Sequence, residues 1–296
     1  MKVYLEVGNN SRGLLRVRDA LVRYAPPSIQ VVHRSQDADL DIIHVYGRHD
    51  AIERRINKLR ANNKPYAMIQ YCLRSTMNPS TNDWLGMWLD AKAVWSYYDL
   101  NQLAIEDQNK DGNRFYRTFY QYHAPLGVDS EFINSIWEGK RKYVILASSQ
   151  HALSEGAREC AFAAKRVGKP MFFLGHELRR GPDIVCKTNL TDLELSDAYS
   201  QCRYVSGLRR VEGFELPVIE GALCGAVPIV YDRPEMRKWF NDFAIFIKEG
   251  SRQEVIDQLA ELFQRTPSPI NTDMRYVIQQ RFNWQTIIRG FYDRIL

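Results

Sequence analysis

Two glutamates eight positions apart, Glu212 and Glu220, enclose a segment whose residue types could bind a phosphorylated sugar. Gly213 permits a tight turn, Pro217 is favoured in the first turn of a helix, and Gly225 is typical of a helix end. The N–H groups at a helix start have no partner within the helix and, with the positive end of its dipole, they bind phosphate. Glu220 lies three residues after Pro217, so its side chain leans back toward that start. Because carboxylates accept hydrogen bonds from sugar hydroxyls, the segment predicts a site for a phosphorylated sugar.

The length and composition are typical of a globular protein with two domains. The chain has 296 residues, of which 45% are hydrophobic and 25% charged. It has no apolar run of about 18 residues, and it opens with the strand-like Lys2–Val7 rather than a cleavable signal. Its five cysteines are scattered and form no CxxC pair, which indicates thiols in a reducing compartment. We therefore expect a cytoplasmic protein.

The net charge of +5 is concentrated in the first half of the chain. Residues 1–124 contain 17 Lys and Arg against 13 Asp and Glu, whereas residues 125–296 contain 23 against 22. A basic first half suits an anionic partner such as nucleic acid or an acidic lipid surface. An ordinary scatter of solvated surface charges accounts for an imbalance of this size equally well.

Strands and helices alternate along both halves of the chain, and this pattern predicts parallel, doubly wound sheets. The predicted strands of the first half are Lys2–Val7, Ile29–His33, Asp41–Tyr46, Pro65–Cys72 and Ala93–Tyr98. Those of the second half are Tyr143–Ala147, Pro170–Leu174, Ile184–Cys186, Tyr204–Ser206, Val227–Tyr231 and Ala244–Ile247. A single last helix is predicted over about Asp273–Ile295.

The turn after the first strand is a second candidate for ligand contact. Gly8, Asn9 and Asn10 stand where ligands of a Rossmann-like unit collect, outside the carboxyl end of a strand. In the helix that follows, Arg12 and Arg16 fall within about 40° of one another, since successive residues turn by about 100°. These five residues are predicted to face the acceptor or a phosphate. A solvated helix face is the alternative for the two arginines.

Three motifs, in the right order along the chain, resemble those of retaining GT-B glycosyltransferases of the group 1, or family 4-like, type. The first is Glu212-Gly213-Phe214-Glu215-Leu216-Pro217 with Glu220 and Cys224-Gly225, which is similar to the EGFGLP…E…CG box of those enzymes. The others are Pro125-Leu126-Gly127-Val128-Asp129 with Phe132, and Phe282-Asn283-Trp284. The glutamate box is the specific marker among them.

The resemblance implies the GT-B fold, with two Rossmann-like doubly wound domains facing a cleft. Residues 1–130 would form the acceptor domain and residues 131–275 the nucleotide-sugar donor domain. Residues 276–296 would form a helix that returns to the first domain. Enzymes of this type transfer the sugar with retention of configuration and need no metal. A UDP-sugar is the expected donor.

The resemblance also implies roles for individual residues. Glu220 would hold the donor ribose, Glu212 would face the donor sugar, and the amides around Phe214–Leu216 would hold the sugar hydroxyls and the diphosphate. Gly213, Phe214, Glu215 and Leu216 are accordingly predicted to contact the donor.

The chain departs from the family pattern at three points. The arginine and lysine that usually follow the first strand of the second domain are missing from residues 147–156. Arg209 and Arg210 are expected to replace them as groups that neutralise the departing diphosphate, with Arg158 as a further candidate. Glu215 stands where the family usually has glycine. Tyr71 and Cys72, at the end of the predicted fourth strand, stand in place of the family's histidine. We expect His151 to contact the donor.

The sequence therefore predicts a metal-independent retaining glycosyltransferase and leaves its acceptor open. The short chain and the basic first half favour a phage-type enzyme that glycosylates hydroxymethylated pyrimidine in duplex DNA, working in the host cytoplasm. A glycan, lipid or protein acceptor is the alternative. Two other classes remain: a GT-B epimerase or phosphorylase, and a non-catalytic module that binds nucleotide-sugar or nucleic acid. The sequence does not indicate an oligomeric state.

Overall fold

A computed structural model of the chain describes residues 1–7, 12–45, 49–71, 81–110, 118–128, 139–148, 156–175, 183–210 and 213–296. The chain divides into two compact units: unit 1 comprises Met1–Leu126 and Trp284–Leu296, and unit 2 comprises Gly127–Asn283. Each unit is built on a six-stranded sheet whose neighbouring strands all run parallel. The predicted pair of Rossmann-like, doubly wound sheets is confirmed.

Unit 1 has the strand order β2-β1-β3-β4-β5-β6. Its strands are β1 Lys2–Val7, β2 Gln30–Val32, β3 Leu40–His44, β4 Tyr66–Ile69, β5 Val94–Ser96 and β6 Gln121–His123. Its helices before unit 2 are α1 Arg12–Arg23, α2 His49–Ala61, α3 Thr81–Asp90 and α4 Leu100–Lys110, with a short 3-10 turn at Ser35–Asp37. Every residue of β3, β4 and β5 is buried, as expected for strands covered on both faces by helices.

Unit 2 has the strand order β12-β11-β10-β7-β8-β9. Its strands are β7 Tyr143–Ser148, β8 Met171–Leu174, β9 Ile184–Lys187, β10 Cys202–Gly207, β11 Val227–Tyr231 and β12 Ile245–Ile247. Its helices are α5 Ala157–Arg166, α6 Asp192–Ser200, α7 Leu216–Leu223, α8 Pro234–Phe240, α9 Arg252–Gln264 and α10 Thr272–Arg281. Thr191 caps α6 and Ser251 caps α9; each forms a capping box with a glutamate three residues later.

The predicted single last helix is wrong, because two helices occupy that stretch: α10, and α11 over Trp284–Ile295. Phe282 interrupts them. Its ring is fully buried in unit 2 against Phe240 and Phe243, and its carbonyl accepts a hydrogen bond from Val128 N at 2.7 Å. The backbone of Phe282, with φ −106° and ψ 37°, lies outside the helical region, so α10 ends at this residue. The chain then re-enters unit 1, where the α11 residue Tyr292 donates to Leu21 O at 2.9 Å.

A buried group of charges joins the sheet of unit 1 to α2. The Asp41 side chain is fully buried and is paired with Arg55 Nη2 at 2.6 Å and with Lys64 Nζ at 2.8 Å. Ser35 Oγ donates to the same carboxylate at 2.6 Å. Arg55 also pairs with Glu6 of β1. One guanidinium thus connects carboxylates on two strands, and removing it would leave Asp41 buried with a single cation.

We expect Arg55→Ala to lower the free energy of unfolding by about 3 kcal/mol, since breaking a buried ion pair leaves a carboxylate with too little compensation. Arg54→Ala is the matched control, because Arg54 is 73% exposed and pairs with Asp50 on the surface of the same helix. The control should cost less than about 1 kcal/mol. Urea unfolding of the three proteins measures both values, and equal losses in the two variants would contradict the structural role of Arg55.

Candidate functional site

The strand order of unit 2 fixes where a ligand is expected to bind. The first strand, β7, lies beside the fourth, β10, and the chain adds strands outward in opposite directions from this pair. In open parallel sheets, ligands bind outside the carboxyl ends of the strands at such a switch point. Two segments leave the sheet there, one after β7 and leading into α5, and one after β10 and leading into α7. The second of these carries the glutamate box.

The start of α5 lies directly against the segment that follows β10. Gly156, which precedes α5, has φ 65°, a left-handed backbone that glycine adopts without strain. A Cβ at this position would lie 2.6 Å from the Cβ of Leu208, closer than real atoms approach. Glycine at this position therefore brings the amino end of α5 close to the segment that contains the box.

Helix α7 in turn lies directly on β10. A Cβ on Gly207 of β10 would lie 2.4 Å from Val218 Cγ2 of α7, and a Cβ on Gly221 of α7 would lie 2.6 Å from Val205 Cγ1 of β10. The two glycines remove side chains from this contact, so the backbones of helix and strand come close together. The position of α7 on the sheet then determines where Glu220 lies.

The start of α7 offers fewer amides than the sequence predicts. The helix begins at Leu216, and Pro217, its second residue, has no N–H. Val218 N donates to Glu215 O at 3.2 Å, so this amide is used within the first turn. Phe214 precedes the helix with a ring that is 2% exposed and lies 5.1 Å from the ring of Phe240. The start of this helix therefore has fewer free amides than an ordinary helix start, and side chains must supply more of any anion contact.

Glu220 is held by a partner that the sequence analysis does not identify. Its side chain is buried on α7 and accepts a hydrogen bond from the hydroxyl of Tyr199 on α6, at 2.9 Å. Tyr199 is itself 1% exposed. The bond fixes the orientation of the carboxylate. A carboxylate can accept about four hydrogen bonds, so the bond from Tyr199 does not prevent it from also accepting from ligand hydroxyls.

Arg209 and Glu215 form an ion pair across the segment. Arg209 Nε lies 3.1 Å from Glu215 Oε2, and the two side chains are 14% and 3% exposed. The family pattern has glycine at the position of Glu215, and an isolated carboxylate there would repel a diphosphate. Because the guanidinium of Arg209 lies beside it, the pair is neutral as a whole. The pair also links the beginning of the segment to the residue that precedes α7.

Arg210 is held by a carboxylate on the other side of the segment. Its Nη1 lies 3.2 Å from Glu249 Oε1, and its Nη2 donates to Gly250 O at 3.3 Å. The guanidinium also lies over the ring of Tyr231, 5.4 Å from its centroid. Arg233 pairs with the same Glu249. This group therefore contains two positive charges, on Arg210 and Arg233, and one negative charge, on Glu249.

Arg158 differs from the other two predicted cations. It lies in the first turn of α5, is half-buried, and has no hydrogen-bond or ion-pair partner among the residues that the structure describes. The positive end of the α5 dipole adds to its charge. Its neighbour Glu159 is buried and lies 3.7 Å from Arg252 Nε. Of the three predicted cations, Arg209 and Arg210 are each paired with a carboxylate. Arg158 is not paired with any carboxylate among the described residues.

Several predicted site residues fall outside what the structure describes. These are Glu212 and His151 on the donor side, and Gly8, Asn9 and Asn10 on the acceptor side. Arg12 begins α1, and its side chain is likewise outside the description. Arg16 lies on α1 and is half-buried.

A cluster that the sequence analysis does not single out lies at the carboxyl edge of the unit 1 sheet. His44, the last residue of β3, meets Tyr71 edge-on with ring centroids 5.0 Å apart, and Tyr71 stacks on Tyr97 at 5.2 Å. Within the described part of the chain, neither ring nitrogen of His44 nor the hydroxyl of Tyr71 has a hydrogen-bond partner. Burial lowers the pKa of His44 to about 3, so its imidazole is neutral near pH 7. The sequence gives little indication of this cluster, because His44, Tyr71 and Tyr97 form no motif and each lies only at or near the end of a strand.

The described residues contain no helix that combines the length and the apolar character that crossing a bilayer requires. They include no group of three or more His, Cys, Asp or Glu side chains placed to hold a metal ion.

Comparison with solved structures identifies the fold as GT-B. The structure superposes on a glycosyltransferase from Rickettsia africae with a TM-score of 0.70 at 11% identity, covering 99% of this chain and 96% of the other. It superposes on Anabaena Alr3699/HepE, solved with UDP and glucose, with a TM-score of 0.70 at 12% identity, covering 99% and 98%.

The pneumococcal O-GlcNAc transferase GtfA, solved with UDP and GlcNAc, gives a TM-score of 0.61 at 15% identity over 86% of this chain. This chain spans 56% of the length of that protein. No protein-family model and no curated protein sequence matches the chain. The similar structures are glycosyltransferases, and at these identities the similarity establishes the fold.

We expect His44 to make the stability of the protein depend on pH. Its folded pKa lies below its unfolded value of about 6.5, so the unfolded chain binds the proton first and stability falls as pH decreases from about 6 to about 4. The loss should be about 1.4 kcal/mol per pH unit from this group. Urea unfolding between pH 7 and pH 4 measures it. His44→Phe should remove this part of the slope, whereas substituting the exposed His33 by Asn should leave it; identical slopes in all three proteins would contradict the prediction.

Proposed function

We propose that this protein is a glycosyltransferase that takes a sugar from a UDP-sugar bound by unit 2 and transfers it, with retention, to an acceptor hydroxyl. One observation carries the proposal. The segment with the paired glutamates leaves a GT-B sheet at its switch point, and the buried carboxylate of Glu220 is oriented by Tyr199 beside it. Similar structures solved with UDP support the choice of donor.

In the proposed complex Glu220 accepts hydrogen bonds from the ribose hydroxyls of the donor. A buried carboxylate with a fixed orientation discriminates strongly in favour of a ligand that supplies donors, because an unmatched charge in this environment is costly. The hydrogen bond from Tyr199 reduces the rotation of the side chain and so lowers the entropy lost on binding.

The departing diphosphate needs positive charge, and the contacts distinguish among the three predicted arginines. Arg209 is offset by Glu215, and Arg210 shares Glu249 with Arg233. Arg158, at the positive end of α5, keeps its full charge among the described residues. We therefore propose Arg158 as the principal cation for the diphosphate, with Arg209 and the Leu216 amide in support. Groups preorganised in this way can stabilise the leaving group without a metal ion.

In the proposed reaction the bond between the sugar and the diphosphate breaks as the acceptor hydroxyl attacks from the same face. Glu212 would stabilise the positive charge that develops on the sugar, and the acceptor proton would leave with the departing diphosphate. His151 and the amides of Gly213 and Phe214 would contact the sugar.

The acceptor is proposed to bind unit 1, which carries the whole net charge of the chain. Unit 1 contains 19 Lys and Arg against 14 Asp and Glu, whereas unit 2 contains 21 of each. This distribution supports an anionic acceptor, and we propose hydroxymethylated pyrimidine in duplex DNA, with contacts from Gly8, Asn9, Asn10, Arg12 and Arg16. A glycan, lipid or protein acceptor is the alternative.

A non-catalytic module is the second candidate function. Its support is the pairing of Arg209 and Arg210 with carboxylates, which leaves less charge for a departing diphosphate. Measurable hydrolysis of UDP-glucose or UDP-GlcNAc by the purified protein would exclude it.

Glu220→Gln should weaken binding of UDP by at least about tenfold, because the neutral amide loses charged hydrogen bonds worth roughly 1.5–3 kcal/mol. Isothermal calorimetry measures the affinity. Tyr199→Phe should give a smaller loss, since it removes only the hydrogen bond that orients the carboxylate. Glu194→Gln, an exposed carboxylate on α6, is the control and should bind UDP as the wild type does. An unchanged affinity in Glu220→Gln would refute the ribose assignment.

Arg158→Met should weaken binding of UDP by about tenfold while binding of uridine stays unchanged, since the diphosphate alone needs the cation. Arg166→Met is the matched control, because Arg166 lies at the other end of α5 and pairs with Asp257 on the surface. Calorimetry with both ligands distinguishes a diphosphate contact from a general loss of structure. Equal affinity for UDP in Arg158→Met and wild type would contradict the assignment.

Binding of duplex DNA should fall steeply with salt if DNA is the acceptor, because each phosphate contact releases counterions. Fluorescence anisotropy with a labelled duplex, over roughly 50–200 mM salt, measures the slope. Arg16→Met should reduce the slope by about one unit. No binding at the lowest salt would favour the other acceptors.

A further inference from the structure

Two buried polar side chains of unit 1 have no hydrogen-bond partner. His44 is 1% exposed and Tyr71 is 6% exposed, and their rings meet edge-on with centroids 5.0 Å apart. Among the residues that the structure describes, nothing hydrogen-bonds to either ring nitrogen of His44 or to the hydroxyl of Tyr71. Buried polar groups of native proteins are nearly always satisfied, so unsatisfied atoms on two neighbouring rings require an explanation.

The pair lies where a sheet of this topology binds ligands. In the order β2-β1-β3-β4-β5-β6, the chain leaves β1 first to one side and then to the other, so the switch point lies between β1 and β3. His44 is the last residue of β3, and Tyr71 comes two residues after the neighbouring strand β4. Ligands bind outside the carboxyl ends of the strands at such a switch point.

The hydroxyl of Tyr71 does nothing for the packing of the fold. Its ring stacks on Tyr97 and meets Trp95 edge-on with centroids 5.8 Å apart, and a phenylalanine ring would make the same contacts. A buried hydroxyl without a partner carries a desolvation cost that phenylalanine avoids. Residues that lower stability in this way are expected at functional sites.

The pair is also electrically neutral. Burial lowers the pKa of His44 and raises the pKa of Tyr71 well above its usual value, so near pH 7 the imidazole is uncharged and the hydroxyl keeps its proton. A neutral imidazole has one donor and one acceptor, and a phenol hydroxyl can act as either. The complement of such a pair is an uncharged group that both donates and accepts hydrogen bonds, and not a phosphate.

We infer that His44 and Tyr71 form an acceptor subsite of unit 1 and hydrogen-bond the uncharged ring of the hydroxymethylated pyrimidine. This inference rests on the proposed function, in which basic residues of unit 1 attract the phosphates. The amino group of a cytosine ring is a donor, and its ring nitrogen and carbonyl are acceptors, so the polar edge of the base matches the pair. Enzymes that act on a base read this edge and hold the ring among aromatic side chains.

The burial of the pair determines how a pyrimidine reaches it. The ring of Tyr71 lies against His44 and is held by packing, since its hydroxyl has no described partner. Turning this ring aside uncovers the imidazole. In a duplex the polar edge of the pyrimidine is occupied by the paired base, so the pyrimidine must first leave the stack. Leaving costs less when the opposite base is mismatched.

The test measures transfer from UDP-glucose and UDP-GlcNAc to a duplex that carries hydroxymethylcytosine. Tyr71→Phe should raise KM for the duplex by about 3- to 10-fold, because one neutral hydrogen bond is lost, and His44→Phe should raise it at least as much. The Kd for UDP and the salt dependence of DNA binding should not change, since neither depends on contacts to the base. For the wild type, a mismatch opposite the target should lower KM.

Tyr66→Phe is the matched control. Tyr66 begins β4, at the other edge of the same sheet, and its buried hydroxyl donates to Met87 O at 2.7 Å. Removing a satisfied hydroxyl should lower the urea midpoint of unfolding and leave KM for the duplex unchanged. Tyr71→Phe should show the opposite pattern, with a raised KM and a urea midpoint equal to that of the wild type or above it.

An unchanged KM in both Tyr71→Phe and His44→Phe would overturn the inference. A lower urea midpoint in Tyr71→Phe with an unchanged KM would assign its hydroxyl to an ordered water and overturn it too. So would an equal loss of UDP affinity, which indicates a general structural role, or transfer to maltotriose and not to the duplex, which would leave the transferase proposal standing. A wild type that binds no UDP and hydrolyses neither donor would refute the proposed function itself.

Discussion

The site depends on the close approach of α7 to β10. Gly207 and Gly221 leave no room for a side chain between the two backbones, so the helix can lie only where it does. Its position fixes Glu220 beside Tyr199 of α6, and it brings the start of the helix to the carboxyl edge of the sheet. The preceding segment must then cross from the end of β10 to this start in eight residues, 208–215. The remaining contacts of the site serve to hold that crossing.

Those contacts are mostly electrostatic, and they limit the charge that the segment presents. Each arginine after β10 is matched with a carboxylate that the resemblance to known transferases does not predict: Arg209 with Glu215, and Arg210 with Glu249. Forming a partly buried pair of this kind requires desolvation of both charges, and breaking it leaves a buried charge without a partner. Such pairs therefore suit a segment that must keep one conformation. The arginine most available to an anion is Arg158, which lies on a different element.

The two sheets and the box were predictable from sequence because strand and helix periodicities and local turn residues determine them. The roles of the three arginines were not. The sequence places Arg209 and Arg210 side by side, but their partners come from six and thirty-nine residues away, and only the folded sheet shows which carboxylate each one meets. Tyr199 and the His44 cluster were missed for the same reason. The last helix was predicted as one because its apolar spacing continues across Phe282, whose carbonyl is captured by the distant Val128.

That hydrogen bond has a consequence for the topology of the chain. Val128 and Asn283 also form a parallel bridge, so the two ends of unit 2 lie side by side. In topological terms unit 2 is an insertion into unit 1, and the chain enters and leaves unit 2 at residues that lie next to each other. When the two ends of a domain lie close together, the domain can be excised, transplanted or circularly permuted without stretching its chain. The sheet of unit 2 thus belongs to a self-contained module that is carried within the sequence of unit 1.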